Sequence, residues 1–309
     1  MRFLEPDWCD LPWTPWQSFS DPPKLWMTPS VPGLYRIRAI GIEELFYIGE
    51  TGRELRGRLL DLRRGTLNDQ MPFNDPHTAA PSLWAWRQAE NFQFECSAAP
   101  IKLADASEEA RKRREGLEFY LLWQYRLEFG SSTRCNHGRF HPRYIKSANG
   151  NSQKRGYLLS RDQPDNIAGG KSLPPLQLCA TLDDNHWMGL VWSSPQKLER
   201  LSLRHIPPSP GVYKIFDPDK KELLYVGETK DLNNRMKDHI VKNWRCAEPL
   251  VSFVELSGDT PAYQRHELEN DLLGGFYAQA KNMPKCQLIN LKRGETSATA
   301  QMDEMFDDS

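Results

Sequence analysis

The chain has 309 residues, room for two domains, and its 39% hydrophobic and 26% charged residues are an ordinary globular composition. A formal net charge of −1 excludes a global attraction to polyanions, although a local basic face remains compatible with it. No apolar run approaches the roughly 20 residues of a membrane helix. The start MRFLEPDWCDLPW lacks the basic-then-apolar pattern of a secretory signal. Six cysteines without a Cys-x-x-Cys pair point away from a disulfide scaffold and to a reducing, cytoplasmic setting.

The first clear elements lie in GLYRIRAIGIEELFYIGET, residues 33–51, which predicts two strands rich in β-formers with Gly33 marking the entry. A helical segment follows in GETGRELRGRLLDL. Residues 65–91 hold LNDQMPFNDPHTAAPSLWAWRQAE, expected to form a loop and a helix whose Leu83, Trp84 and Trp86 pack inward. SEEARKRREGLEFYLLWQYRLEF predicts a long helix with acids early and Leu117, Tyr120, Leu121 and Tyr125 inward. Its RKRRE run reads as a solvated face. Residues 137–180, rich in Gly, Pro, Ser and Asn, predict a connecting arm with little regular structure.

Then the pattern returns. GVYKIFDPDKKELLYVGET, residues 211–229, repeats the first hairpin, and Tyr213 and Tyr225 are spaced like Tyr35 and Tyr47, 12 residues apart. Asp217-Pro218-Asp219 supplies turn chemistry. Leu232, Met236 and Ile240 form a helical stripe that Asp231 can cap. LENDLLGGFYAQAKNMPKCQ aligns without a gap to LEFYLLWQYRLEFGSSTRCN, pairing Glu269 with Glu118 and Gln287 with Asn136. A repeat at this period means duplicated domains and not a solenoid. The expected division is a first domain at 1–145 with an insertion around 65–91, an arm at 146–185, a second domain at 186–300 and an acidic tail at 301–309.

The recurring polar residues have a coherent use in phosphodiester hydrolysis. Arg235 and His239, four apart, share a helix face. A carboxylate can hold a divalent metal that polarises phosphate. An arginine stabilises phosphoryl oxygens, and a phenol beside a cation can activate water. Cys135, His137 and His141 lack zinc-site spacing and read as incidental. Residues 131–157 hold six Lys or Arg and no acid, so Arg134, Arg139, Arg143, Lys146, Lys154 and Arg155 are candidate phosphate contacts.

The two tyrosines, the Arg eight residues after Gly227, the His four later and the Glu on a following helix resemble the GIY-YIG endonucleases. The resemblance implies an α/β (α+β) fold, a three-stranded antiparallel sheet flanked by helices in each of two tandem copies. It also implies cleavage of DNA with a tyrosine-activated water and a single Mg²⁺ or Mn²⁺ ion on the Glu. Carried over, the catalytic set is Tyr213, Tyr225, Arg235, His239 and Glu269 in the second half. In the first half it is Tyr35, Tyr47, Arg58, Glu118 and Asn136, with Glu118 and Glu269 as metal ligands. The second half has Gln287 where the family has Asn. The first has Leu62 where the family has His, and His77 of the insertion is a candidate substitute. The alternatives are a non-catalytic DNA-binding protein, or one cutting copy beside one that positions DNA. A restriction or defence role and a repair role stay open.

Overall fold

The computed structural model describes residues 1–75, 78–101 and 107–291, so His77 and the acidic tail lie outside the described residues. The chain divides into two compact units, one of Met1–Gln177 with Pro261–Met283, the other of Leu178–Thr260 with the residues from Pro284 on.

The first unit begins with β1 (Gln17–Ser18) and α1 (Pro22–Leu25), then the hairpin β2 (Gly33–Ala39) and β3 (Leu45–Thr51). Next come α2 (Leu55–Thr66), α3 (Ala80–Glu90), β4 (Phe94–Pro100), α4 (Glu108–Phe129), and a small ribbon of β5 (Tyr144–Ile145) and β6 (Tyr157–Leu158). The second unit contains β7 (Gln196–Lys197), β8 (Gly211–Asp217), β9 (Glu222–Thr229), α5 (Leu232–Ile240) and β10 (Leu250–Glu255). The last described helix, α6 (Ala262–Ala280), follows β10 in sequence but belongs to the first unit.

Each unit is built on an antiparallel sheet of four strands, ordered β1-β4-β2-β3 and β7-β10-β8-β9. The expectation of three strands is corrected by one. Each extra strand is a two-residue edge in a lead-in too short to show alternation. The registers coincide. Tyr35 faces Gly49 and Ile37 faces Tyr47, as Tyr213 faces Gly227 and Ile215 faces Tyr225. Both hairpins slip register directly after that isoleucine, at Ile37/Arg38 and at Ile215/Phe216. A shared bulge fixes which face each tyrosine takes, because a one-residue slip would turn every side chain over.

In the first unit both faces of the sheet are covered. Tyr35, Ile37 and Phe46 pack with Leu55, Leu59 and Leu62 of α2 and Leu83 of α3 on one face. Leu34, Leu45 and Ile48 pack with Leu121 and Tyr125 of α4 on the other. Strand burial on both faces explains why β2 and β3 read as nearly continuous apolar runs and not as alternation. Ser107 caps α4 by accepting a bond from the Ala110 N–H at 3.1 Å. In the second unit Tyr213, Ile215 and Val251 pack on Leu232 and Met236 of α5, capped as expected by Asp231.

A second shared device went unseen in the sequence. Arg36 of β2 is buried, donates to the Phe3 carbonyl at 2.5 Å, and lies 4.3 Å from the Trp13 ring and 6.0 Å from that of Trp8. Lys214 of β8 is likewise buried, donates to the Leu182 carbonyl at 2.5 Å, and sits 4.6 Å from Trp192 and 5.2 Å from Trp187. In each pair the later Trp donates to the carbonyl of the earlier, at 3.0 and 2.9 Å. Aromatic faces and a carbonyl thus offset the cost of burying a cation on each sheet.

Helix α6 packs along α4. Buried Arg126 donates to both Asp271 oxygens at 2.7 and 3.0 Å and lies 3.4 Å from Glu267, while Arg139 reaches Glu267 at 3.2 Å. Gly274 permits close approach: a Cβ there would lie 2.6 Å from the Trp123 Cβ. The basic arm also differs from its expectation of little regular structure. Phe140 and Tyr144 form a small core with Met71 and Ala85 of the insertion, and this support orders the β5–β6 ribbon.

Candidate active site

Tyr35 and Ile37 are two residues apart on β2, and Tyr47 lies opposite Ile37, so both tyrosines occupy the same face of the sheet. Their ring centroids are 5.9 Å apart. Gly49 makes room for this pair, since a Cβ would lie 2.5 Å from the Tyr47 ring and 2.6 Å from the Tyr35 hydroxyl oxygen. Tyr213 and Tyr225 repeat the arrangement with centroids 6.0 Å apart, and Gly227 sits against both rings in the same way.

The next helix brings the arginine. Arg58 of α2 donates through Nε to the Tyr35 hydroxyl at 3.0 Å, and Arg235 of α5 donates through Nε to the Tyr213 hydroxyl at 3.0 Å. Arg58 stands nine residues after Gly49, one more than separates Arg235 from Gly227, yet it makes the same bond. Tyr35 is fully buried, and burial pushes its phenol up to about 12 against the opposing pull of Arg58. Burial raises Tyr47 further.

Glu118, half-buried on α4, joins the first set. Burial, together with the neighbouring Glu50 and Glu115, raises its carboxyl to about 8. Arg114, one turn earlier, pairs with Glu50. This carboxylate environment was missed in the sequence, although the Glu of Gly-Glu-Thr recurs as Glu228. It also corrects the RKRRE run, for Arg114 is buried and only part of that run is a solvated face. Among the described residues no group of three or more His, Cys, Asp or Glu side chains gathers to hold a metal ion. One carboxylate completed by water is the donor set that suits magnesium. Glu118 fits it, because a bound divalent cation would offset the burial and the repulsion from Glu50 and Glu115 that raise its carboxyl.

The position four residues after the arginine differs. Leu62 is buried among the apolar residues of α2 and the sheet. His239 is buried too, with Nε2 2.8 Å from the Tyr213 hydroxyl, and its ring packs on Tyr225 and Trp244. Burial, helped by Lys242 and Arg235, holds this imidazole down at about 3, so it is neutral near pH 7. Its Nδ1 is buried without a hydrogen-bond partner.

Asn136 has a different place from the tyrosines. It accepts the Ile48 N–H at 3.0 Å and donates to the Ile48 carbonyl at 2.7 Å, bracing the residue beside Tyr47. Gln287 accepts the Val226 N–H at 3.0 Å, bracing the residue beside Tyr225. The longer amide thus keeps one of the two bonds. Glu269 is half-buried on α6, within the first unit.

Residues 209–269 match the family model of the GIY-YIG catalytic domain. The matched stretch contains Tyr213, Tyr225, Arg235, His239 and Glu269. A GIY-YIG catalytic domain points to a nuclease, an enzyme that cleaves phosphodiester bonds and so meets nucleic acid, and the family typically uses a divalent metal. The match covers well under half of the chain, and the first copy's likeness to a GIY-YIG domain rests on the repeat and the shared geometry. No curated protein and no solved structure matches the chain. No described helix is long and apolar enough to cross a membrane.

The basic arm divides into two groups. Arg134 forms a two-bond pair with Glu44 at 2.7 Å each, Arg139 pairs with Glu267, and Arg143 binds Asp165 at 2.8 Å and three nearby carbonyls. Burial lowers Lys146. Lys154 and Arg155 are exposed.

Proposed function

We propose that the protein is a metal-dependent DNA endonuclease with a hydrolytic centre in each repeat. The observation that carries this is the same arginine-to-tyrosine hydrogen bond, 3.0 Å, built twice on hairpins of identical register. A buried phenol is a poor base on its own, since burial disfavours its anion. A guanidinium donating to the phenol oxygen stabilises the phenolate as it forms, and its remaining N–H groups suit phosphoryl oxygens. Once its own proton has left to solvent, the tyrosinate can take the proton of an attacking water. In the second copy the Tyr213 hydroxyl also shares a 2.8 Å hydrogen bond with His239 Nε2, which orients the phenol. Glu118 would hold Mg²⁺ or Mn²⁺, and the repeat alone assigns Glu269 the same task. When bound, the ion supplies positive charge to the phosphate and the leaving oxygen. Asn136 acts indirectly by fixing the strand that carries Tyr47. Lys154 and Arg155 are the arm's exposed cations, available to DNA.

A second possibility, one cutting copy and one that positions DNA, is favoured by Leu62, which leaves the first copy without an imidazole. Glu118→Gln and Glu269→Gln, made separately and assayed on supercoiled plasmid with Mg²⁺, decide between them. Two working centres give single variants that only nick. A variant that still linearises at the normal rate marks its copy as non-catalytic. Binding without cleavage by the unaltered protein, with either Mg²⁺ or Mn²⁺, overturns the nuclease assignment.

A further inference from the structure

The insertion and the basic arm of the first unit build a ribbon with an exposed tip. Residues 149–155 read Asn-Gly-Asn-Ser-Gln-Lys-Arg, and all but Gly150 are exposed. Residues 146–158 contain three cations and no acid. Exposed Tyr157 and Leu158 continue the surface along β6.

The tip is held rigidly from below. The Ala148 carbonyl accepts the Asn74 N–H at 2.9 Å, and the Asp75 carboxylate accepts the Gly150 N–H at 2.6 Å. Arg155 donates to the Met71 carbonyl at 2.7 Å and lies 4.3 Å from the Phe73 ring. Inside the turn Asn149 accepts the Ser152 N–H at 3.1 Å, and Gln153 donates to the Gly150 carbonyl at 2.5 Å. Asn151 and Lys154 extend from this frame with exposed side chains.

We propose that this ribbon reads base edges in the major groove of double-stranded DNA. A two-stranded ribbon fits that groove, which is about 12 Å wide, and amide side chains match adenine while lysine matches guanine. Residues 149–155 contribute two cations and no carboxylate of their own, and the Asp75 carboxylate beside them is bound to the Gly150 N–H. Its internal bonds order it before binding, which lowers the entropic cost of recognition. Arg134 and Arg139 tie the arm to Glu44 and Glu267, and Arg143 ties it to itself at Asp165, so the tip carries recognition and they carry support. The inference rests on DNA being the substrate of the proposed nuclease.

The test uses the full chain in EDTA, selecting from duplexes with a randomised core. The unaltered protein is expected to enrich a defined sequence. The double variant Asn151→Ala, Lys154→Ala should lose about tenfold or more of that preference at one or two base pairs, as loss of a bidentate contact implies. Its thermal midpoint should equal that of the unaltered protein, both positions being exposed. No enriched sequence from the unaltered protein, or an unchanged preference in the double variant, overturns the proposal. Cleavage with Mg²⁺ is scored separately: an enriched sequence without cleavage removes the nuclease assignment and leaves the ribbon's role, and cleavage without one does the reverse.

Discussion

The two repeats share a frame and differ at its polar edge. Register, bulge, tyrosine pair, arginine bond and tryptophan-covered cation coincide, yet one α-helix places Leu62 where the other places His239. The frame is over-determined, since each part is packed against several others, so it survives sequence drift. The edge depends on one side chain. The difference teaches that the arginine-to-tyrosine bond needs no imidazole to form, whereas a hydrogen bond between the tyrosine hydroxyl and an imidazole needs the histidine that only one of these two helices supplies. The two amide braces differ more gently, because Gln287 retains the bond to Val226 that Asn136 makes to Ile48.

Substitution of the arginines should break the comparison most severely. Arg58→Ala or Arg235→Ala should lower strand cleavage by its own copy by about 10²–10³-fold, the usual loss for a donor to developing charge. Strand-resolved cleavage rates check this, and equal residual rates in both variants would remove the arginines from the chemistry. The braces come next. Asn136→Ala orphans both the N–H and the carbonyl of Ile48, at about 1–3 kcal/mol for each buried group left unmade. Gln287→Ala orphans only the Val226 N–H, so denaturant midpoints should fall further for Asn136→Ala.

A third difference appears with pH. The unfolded His239 titrates near its ordinary value of 6.5, while the folded one is held at about 3. Between those values the unfolded chain binds a proton that the folded chain does not, so stability falls as pH drops below 6.5 and is indifferent above it. The slope is about 1.4 kcal/mol per pH unit for one group. Denaturation at pH 7, 6 and 5 should show this loss, and His239→Leu, which copies Leu62, should remove it. Equal slopes in both proteins would contradict the burial of a neutral ring. The smallest effect is expected in cleavage by Leu62→His: if the two edges are interchangeable, the first copy's rate rises and its dependence on pH approaches that of the second.

Much of this was legible because the decisive residues recur at fixed spacing. Twelve residues between tyrosines and an Arg one turn into the next helix survive any choice of apolar neighbours. The ungapped helix match picks Glu118 over Glu115, and both carboxyls are raised by burial and by the neighbouring Glu50. Other features left no such trace. β1 and β7 are two residues long and pair only because the sheet is already there. The tryptophan pairs recur at a spacing of five, but they precede β2 and β8 by 19 to 25 residues, and no local pattern ties them to Arg36 or Lys214. Arg134, Arg139 and Arg143 looked like a basic face, but sequence does not reveal that Glu44, Glu267 and Asp165 stand beside them. The ribbon is ordered by contacts with an insertion far away in sequence, which local pattern does not encode.

The buried Arg126–Asp271 pair joins residues 145 positions apart, and the second unit's whole sheet is encoded between them. During synthesis the guanidinium therefore exists for some 145 residues before its carboxylate is made. The nascent first unit must wait with α4 uncovered while the chain of the second unit emerges. The unit that begins first is completed after its neighbour's sheet has left the ribosome, so a chain stopped short of residue 271 lacks the anion that neutralises a cation already committed to the interior.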